Sequence, residues 1–309
     1  MCSRPLVGPT GSCFDTQFIR ESTMRLLRSS FVIATLCLAL LASMATGAAA
    51  QTMSTGNRFV TALVEDGSGL IWFLKGEGTK LPPSINLSFR DKSFLSVRIG
   101  NKVYSNNDVV TGGMPPPDIM LNNGVNTKIG DTIETVWSQS GGGFDIVQDV
   151  YPVEFEISGQ IVFKFSIRNR TNATLPAQAQ YLLDLLVNGE DKAAILTRWN
   201  YSPNWTLYTS ASNPSIPWFF LGFEKPPTTG TVGNISTGYL NDMYTPWPIG
   251  IKLPNLFATV DWNIESNYTW GPDQNNWGKP YDAHDNAVLY QWDATAASGS
   301  GKDTVVCLL

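Results

Sequence analysis

The sequence predicts an all-β protein: a large two-sheet antiparallel sandwich with little or no helix outside an N-terminal leader. Three observations support this fold class. Apolar and polar residues alternate with period two in several segments, turns rich in glycine and proline separate those segments, and helical periodicity is scarce. At a spacing of about 10–14 residues the chain holds about 16–18 strands, which exceeds an immunoglobulin-type sandwich and favours two large stacked sheets.

The candidate strands follow one another along the chain beyond residue 51. In order they are residues 58–65, 70–74, 95–99, 102–105, 131–138, 144–157, 160–169, 179–188, 205–210, 218–224, 256–263, 287–293 and 302–309. Proline fixes φ and lacks an N–H, so proline-rich runs such as residues 112–117 and 226–233 mark loops between strands. No run is long enough for a linker, and residues 51–309 are therefore interpreted as a single domain.

The clearest strand is residues 160–169. An apolar residue stands at every second position: Ile161, Phe163, Phe165 and Ile167. Polar residues separate the last three of them, which is typical of a half-buried antiparallel strand. Ser158 and Gly159 predict a two-residue hairpin turn back to residues 144–157.

Two further segments need a choice of structure. Gly100 and Asn101 predict a second two-residue hairpin turn, between residues 95–99 and 102–105. Residues 179–188 are short and apolar, and this pattern fits a helix or a buried strand. We interpret them as a strand because short apolar runs between turn residues favour strands in an all-β chain.

A secretory signal peptide is predicted at residues 24–50. Arg25 and Arg28 form a basic start, residues 31–42 are apolar, and residues 48–50 are a cleavage site of small residues. The apolar run is too short and too quickly followed by small polar residues to predict a membrane span. The remaining alternative is an uncleaved anchor with a cytoplasmic tail.

This leader sets the expected limits of the mature protein. Residues 1–23 are interpreted as an upstream extension, and Gln51 is the expected N-terminus of a secreted protein with no membrane span. Residues 302–309 start as a strand and end apolar, without a turn or a cap. We therefore expect the natural chain to continue, or a frameshift to have replaced its continuation, because this strand would otherwise leave either exposed apolar surface or a neighbour's edge unpaired.

Charge and cysteine content exclude several classes of protein. The chain has 21 basic and 26 acidic residues, a net charge of −5, without a basic cluster, so we expect no nucleic-acid partner. Three of the four cysteines, Cys2, Cys13 and Cys37, precede Gln51, so Cys307 has no partner for a disulfide within the mature chain. Further domains of a longer protein remain an expected partner.

In strand count, size and secretion, residues 56–309 resemble the β-supersandwich modules of galactose-mutarotase-like proteins and of large secreted bacterial proteins. The resemblance implies two large stacked antiparallel sheets. Mutarotases act through a pair of histidines and an acidic base, whereas this chain has the single histidine His284. The resemblance therefore does not extend to mutarotase activity.

Motifs for catalysis and metal binding are scarce. The sequence contains no nucleophile elbow, no zinc-ligand spacing and no glycine-rich loop that leads into a helix. Asp282, His284 and Asp285 cluster, but two ligands on one strand do not complete a metal site. We predict no cofactor, no metal and no catalytic residue. An acid pair for glycoside hydrolysis cannot be chosen from the sequence.

Aromatic loops give the strongest indication of a ligand. All ten tryptophans follow residue 51, and aromatic rings offer flat apolar surfaces to sugar rings beside amide and carboxylate groups that bind hydroxyls. Two loops combine these groups, and their candidate ligand-binding residues are Trp199, Tyr201, Trp205, Trp270, Asp273, Asn276 and Trp277. The alternative for both loops is packing against the ends of the sheets, as we expect for Trp262 and Trp292 in the strands.

These features favour a secreted, non-catalytic β-sandwich module that binds carbohydrate or forms part of a larger surface protein. Two alternatives stay open. The first is an enzyme acting on polysaccharide, a glycoside hydrolase or lyase, with an acid pair in the same loops. The second is a purely structural or adhesive domain without a small-molecule site.

Overall fold

The computed structural model describes residues 51–75, 93–107, 117–154, 159–187, 192–197, 206–209, 216–223, 235–240, 253–262, 270, 286–296 and 302–308. The chain divides into two units, Met1–Ala49 and Ala50–Leu309, and every described residue belongs to the second. The expected upstream extension at residues 1–23 and all of the signal peptide at 24–50 lie outside the described residues.

The described residues form strands nearly throughout, which confirms the all-β prediction. In chain order the strands are β1 (Thr52–Gly56), β2 (Val60–Glu65), β3 (Ile71–Lys75), β4 (Phe94–Ile99), β5 (Lys102–Ser105), β6 (Ile119–Met120), β7 (Val125–Ile129), β8 (Thr132–Gln139), β9 (Phe144–Glu154), β10 (Gly159–Asn169), β11 (Leu175–Asp184), β12 (Ala194–Thr197), β13 (Leu207–Thr209), β14 (Phe219–Phe223), β15 (Ile235–Tyr239), β16 (Leu256–Asp261), β17 (Asn286–Ala296) and β18 (Lys302–Leu308). One 3-10 turn, Ser140–Gly142, joins β8 to β9.

The strands form two large sheets and one small sheet. The eight-stranded sheet has the order β12-β14-β15-β18-β10-β9-β8-β7, the seven-stranded sheet has the order β13-β16-β17-β11-β4-β5-β6, and β1-β2-β3 form the third. Neighbouring strands are antiparallel except β5 and β6, which pair in parallel. The expected two-sheet sandwich is therefore present, with a three-stranded sheet that the sequence did not predict.

The two large sheets pack face to face through aromatic side chains. Phe163 and Phe165 of β10 lie with ring centroids 5.0 and 5.3 Å from Tyr181 of β11. Phe220 of β14 stacks on Phe257 of β16 at 5.6 Å. All five rings are buried in one continuous apolar core, which is the arrangement of a sandwich.

The three-stranded sheet closes one part of this core. Phe73 of β3 stacks on Phe163 at 5.9 Å, and the indole N–H of Trp137 donates to the carbonyl oxygen of Gly67 at 3.1 Å. Gly69 and Gly124 lie against Trp137, where a Cβ on either residue would overlap the indole ring. Glycine is therefore required at both positions for the β2–β3 turn to approach β8.

The face of the seven-stranded sheet turned away from the core changes character along its strands. Three rows of cross-strand neighbours on β4, β11 and β17 show the change. The first row is apolar and buried: Phe94, Leu182 and Leu289. The second row is polar, Ser96, Gln180 and Gln291, and the third row is polar and half-buried or exposed, Arg98, Gln178 and Asp293. The apolar row belongs to a second buried cluster, distinct from the main core. The open row lies next to the β4–β5 turn.

The strand predictions hold in type, and one turn prediction is wrong. Residues 160–169 and 179–188 were expected to be strands, and β10 and β11 cover most of both. Ser158 and Gly159 do not form a two-residue turn, because Gly159 pairs with Glu154 and begins β10. The observed register places Val150 opposite Phe163, whereas the expected turn would place Glu154 there, against the core.

The other hairpin is confirmed. Ile99 pairs with Lys102, and Gly100 between them has a φ of 59°, which glycine adopts readily. The expectation that residues 302–309 leave a neighbouring edge unpaired is wrong for β10, with which β18 pairs along its length. β18 lies between β10 and β15, with seven residues in register along β10 and Leu308 opposite Tyr239.

Candidate functional site

A groove on the outer face of the seven-stranded sheet is a candidate site in the described part of the chain. Its volume is about 280 Å³, and its lining residues are Arg98, Gly100, Pro176, Ala177, Gln178 and Asp293. This volume lies just below the range of about 300–1,000 Å³ that is usual for small-molecule pockets. The groove therefore suits a small group or one unit of a longer ligand.

The cross-strand register brings the polar walls of the groove together. Gln178 on β11 lies directly opposite Arg98 on β4 and Asp293 on β17. Side chains at paired positions point to the same face of a sheet, so all three reach the same side. Arg98 and Asp293 stand two strand spacings apart, about 10 Å.

A chain of hydrogen bonds fixes one wall. The carboxamide nitrogen of Gln178 donates to Oδ1 of Asp293 at 2.6 Å, and the backbone N–H of Asp293 donates to Oδ1 of Asn255 at 2.8 Å. A hydrogen bond to an ionised group is stronger than one between neutral groups. Gln178 therefore orients the carboxylate instead of leaving it to rotate in solvent.

The lining of the groove combines hydrogen-bond donors and acceptors. A carboxylate accepts two or more hydrogen bonds, a guanidinium donates in a planar fork, and the carboxamide oxygen is a further acceptor. Gly100 leaves open space where another residue would place a Cβ, and Pro176 adds an apolar surface. Hydroxyl groups and an apolar ring face both find partners in this arrangement.

The structure also brings two carboxylates together on the other large sheet. Glu134 of β8 and Asp149 of β9 are cross-strand neighbours, a pairing that sequence could not identify. Arg168 lies 3.3 Å from Glu134 and Lys164 lies 3.4 Å from Asp149. These ion pairs offset the repulsion between adjacent acids, and we interpret the set as an ion-pair ladder that supports the sheet.

Tyr151 lies next to this ladder on β9. Burial, followed by the charge of Asp149, raises the pKa of the Tyr151 phenol above its ordinary value of 10.0. Burial and Asp118 raise the pKa of Tyr104 in the same way. Both phenols therefore stay protonated at neutral pH and act there as neutral groups.

Of the seven predicted ligand-binding residues, only Trp270 belongs to the described part of the chain. Trp270 is half-buried, and the others lie outside the described residues: Trp199, Tyr201, Trp205, Asp273, Asn276 and Trp277. Trp262 and Trp292, which we expected to pack in strands, are 9% and 1% exposed, so the packing is confirmed for both; Trp292 lies in β17, but Trp262 follows the end of β16 at Asp261 and is not in a strand. His284 and its neighbouring acids also lie outside the described residues.

Sequence reasoning missed the groove. Arg98 and Asp293 lie in strands predicted at residues 95–99 and 287–293, whereas Gln178 precedes the strand predicted at residues 179–188, so the sequence marked only two of the three positions. It does not reveal which strands are neighbours, and Gln178 and Asp293 are 115 residues apart.

Within the described ranges, no group of three histidine, cysteine or acidic side chains is placed to hold a metal ion. No helix in those ranges has the length and apolar character needed to cross a membrane.

No protein family and no curated protein matches the sequence. Solved structures with a similar fold include a protein described as an aldose 1-epimerase from Escherichia coli K12, at 10% identity and TM-score 0.43, over 84% of this chain and 97% of that one. Another is a protein from Synechocystis sp. PCC 6803, at 8% identity and TM-score 0.44, over 84% of this chain and 95% of that one. A third is a galactose mutarotase related enzyme from Lactobacillus acidophilus, at 6% identity and TM-score 0.40, over 84% of this chain and 96% of that one.

Proposed function

We propose that this chain is a secreted, non-catalytic β-sandwich module that binds carbohydrate through the groove at Arg98, Gln178 and Asp293. The observation that carries the proposal is the Gln178–Asp293 hydrogen bond of 2.6 Å, which holds a carboxylate at the wall of an open groove. An oriented carboxylate beside a carboxamide binds paired hydroxyls without paying for side-chain ordering.

The aromatic loops supply the second part of the proposal. We place sugar stacking at Trp270 and Trp277 and at Trp199 and Trp205, because rigid aromatic rings cover the apolar faces of sugars.

The non-catalytic part of the proposal rests on residue content. A mutarotase needs two histidines, and the whole chain has one. Secretion rests on the leader at residues 24–50, and N-terminal sequencing of exported protein is expected to begin at Gln51. Exported protein that begins at Met1 or Met24 would contradict cleavage of the leader before Gln51.

A glycan array with the exported protein tests the function, together with an assay for reducing sugars released from each glycan that binds. Binding without sugar release supports the proposal. Sugar release identifies a polysaccharide-acting enzyme instead. The absence of any bound glycan favours the structural or adhesive alternative and overturns the proposal.

A further inference from the structure

Arg98 is the cation of the groove, and its cross-strand neighbours are uncharged. Val103 lies opposite it on β5 and Gln178 on β11. The Arg98 side chain is exposed at the groove wall. Among the residues that the structure describes, no carboxylate forms an ion pair with it.

Cations on the other large sheet differ in this respect. Three of them lie 3.4, 3.3 and 2.9 Å from a carboxylate: Lys164 with Asp149, Arg168 with Glu134 and Arg170 with Asp145. Of these pairs, Lys164 and Asp149 are direct cross-strand neighbours on β10 and β9. At Arg98 the corresponding positions carry valine and glutamine, so the guanidinium keeps its planar fork of donors available to a ligand.

The opposite wall of the groove carries the opposite charge. Asp293 stands about 10 Å from Arg98, at two strand spacings. An anionic group on a ligand is attracted at Arg98 and repelled at Asp293, whereas hydroxyl groups are accepted at Asp293. The two charges thus favour one orientation of a ligand that has an acid at one end and hydroxyls at the other.

A hexuronic acid has this distribution of groups. Its carboxylate is carried on C5, and its C2 and C3 hydroxyls lie across the ring. We propose that the groove takes a saccharide with a carboxylate, a uronic acid unit, with the carboxylate on Arg98 and the hydroxyls on Asp293 and Gln178. This inference rests on the carbohydrate-binding function proposed above. A bidentate guanidinium–carboxylate pair is the strongest contact that this lining offers.

Calorimetric titration of the exported chain tests the inference with two probes, tetragalacturonate and its full methyl ester. The ester keeps the ring and hydroxyls and removes the charge. We expect the acid to bind at least about tenfold more tightly than the ester, since charge-assisted bonds exceed neutral ones. Arg98→Gln is expected to reduce acid binding to the level of the ester and to leave ester binding unchanged.

Lys102→Gln is the matched control, because it removes the same charge from an exposed position of the neighbouring strand outside the groove lining. It is expected to leave the acid-to-ester ratio unchanged. Equal binding of acid and ester, or equal weakening of both by Arg98→Gln, overturns the uronate inference and leaves carbohydrate binding standing. If neither probe binds while the array shows bound neutral glycans, the uronate inference is also overturned and carbohydrate binding still stands. If no glycan binds to the protein, both proposals are overturned.

Discussion

The indole N–H of Trp137 donates to the carbonyl oxygen of Gly67, 70 residues earlier in the chain, at 3.1 Å. This bond joins the β2–β3 turn to β8 and thereby fixes the three-stranded sheet over the core. The turn approaches the indole closely enough that Gly69 has no room for a Cβ. The contact is therefore set by steric fit as well as by hydrogen bonding.

Two glycine substitutions separate steric fit from backbone strain. Gly69 and Gly100 have φ values of 64° and 59°, but a Cβ meets Trp137 at the first and nothing within 4 Å at the second. Gly100→Ala is expected to cost about 1–2 kcal/mol of unfolding free energy, and Gly69→Ala about 1–3 kcal/mol more. Urea unfolding measures both. Equal losses of unfolding free energy in Gly69→Ala and Gly100→Ala would show that the turn moves away from Trp137 freely.

Phe163 is expected to be the most sensitive core position. Its ring contacts Phe73 of the small sheet and Tyr181 of the seven-stranded sheet, and it is fully buried. Phe163→Ala is expected to cost about 3–5 kcal/mol in urea unfolding because it leaves a cavity where three sheets meet. Val125→Ala, at a residue 65% exposed, is the control and is expected to change stability by about 0.5 kcal/mol or less. Similar losses for both would contradict this core.

Tyr104 and Tyr151 predict a loss of stability in alkali. Both phenols have a pKa raised above 10.0, so the folded protein holds these protons more tightly than the unfolded chain does. This stabilisation is complete below pH 10 and is lost as the pH rises through the folded-state pKa values. Phenolate absorbance follows the titration, and Asp149→Asn is expected to lower the pKa of Tyr151 without moving that of Tyr104. An Asp149→Asn protein with an unchanged Tyr151 titration would contradict the role of that charge.

Trp277 tests the loop part of the proposed site. If it stacks on sugar, Trp277→Ala weakens glycan binding by about 1 kcal/mol and leaves the melting temperature nearly unchanged. A loss of about 3–5 kcal/mol of stability would instead identify a packing residue. Thermal unfolding and glycan titration of the same preparation distinguish the two results.

Sequence patterns predicted the central strands and missed those with weak alternation. β10 was clear because four core residues follow period two, whereas β7 exposes Val125 and Ile129 and turns Asn126 inward. That inversion removes the signal that alternation provides. The β9–β10 turn was missed because the register is decided by core packing and not by turn residues alone.

The groove was not predictable for a related reason. Its walls come from β4, β11 and β17, which are distant in sequence, and only the strand order makes them neighbours. Aromatic composition indicated the loops instead, because clustering along the chain is visible without a fold. Cross-strand constellations such as Arg98, Gln178 and Asp293 become visible only once the register is known.

The central claim is that the oriented carboxylate of Asp293 binds sugar, and calorimetric titration with the tightest glycan of the array tests it most directly. Asp293→Asn keeps the size of the side chain and an oxygen for Gln178, but removes the charge. We expect binding to weaken at least about tenfold, because hydrogen bonds to a charged group are worth about 1.5–3 kcal/mol. Asp131→Asn, an exposed position in the β7–β8 turn, is the control and is expected to bind as the unaltered protein does. Unchanged affinity in Asp293→Asn, or equal weakening in both variants, would contradict the account.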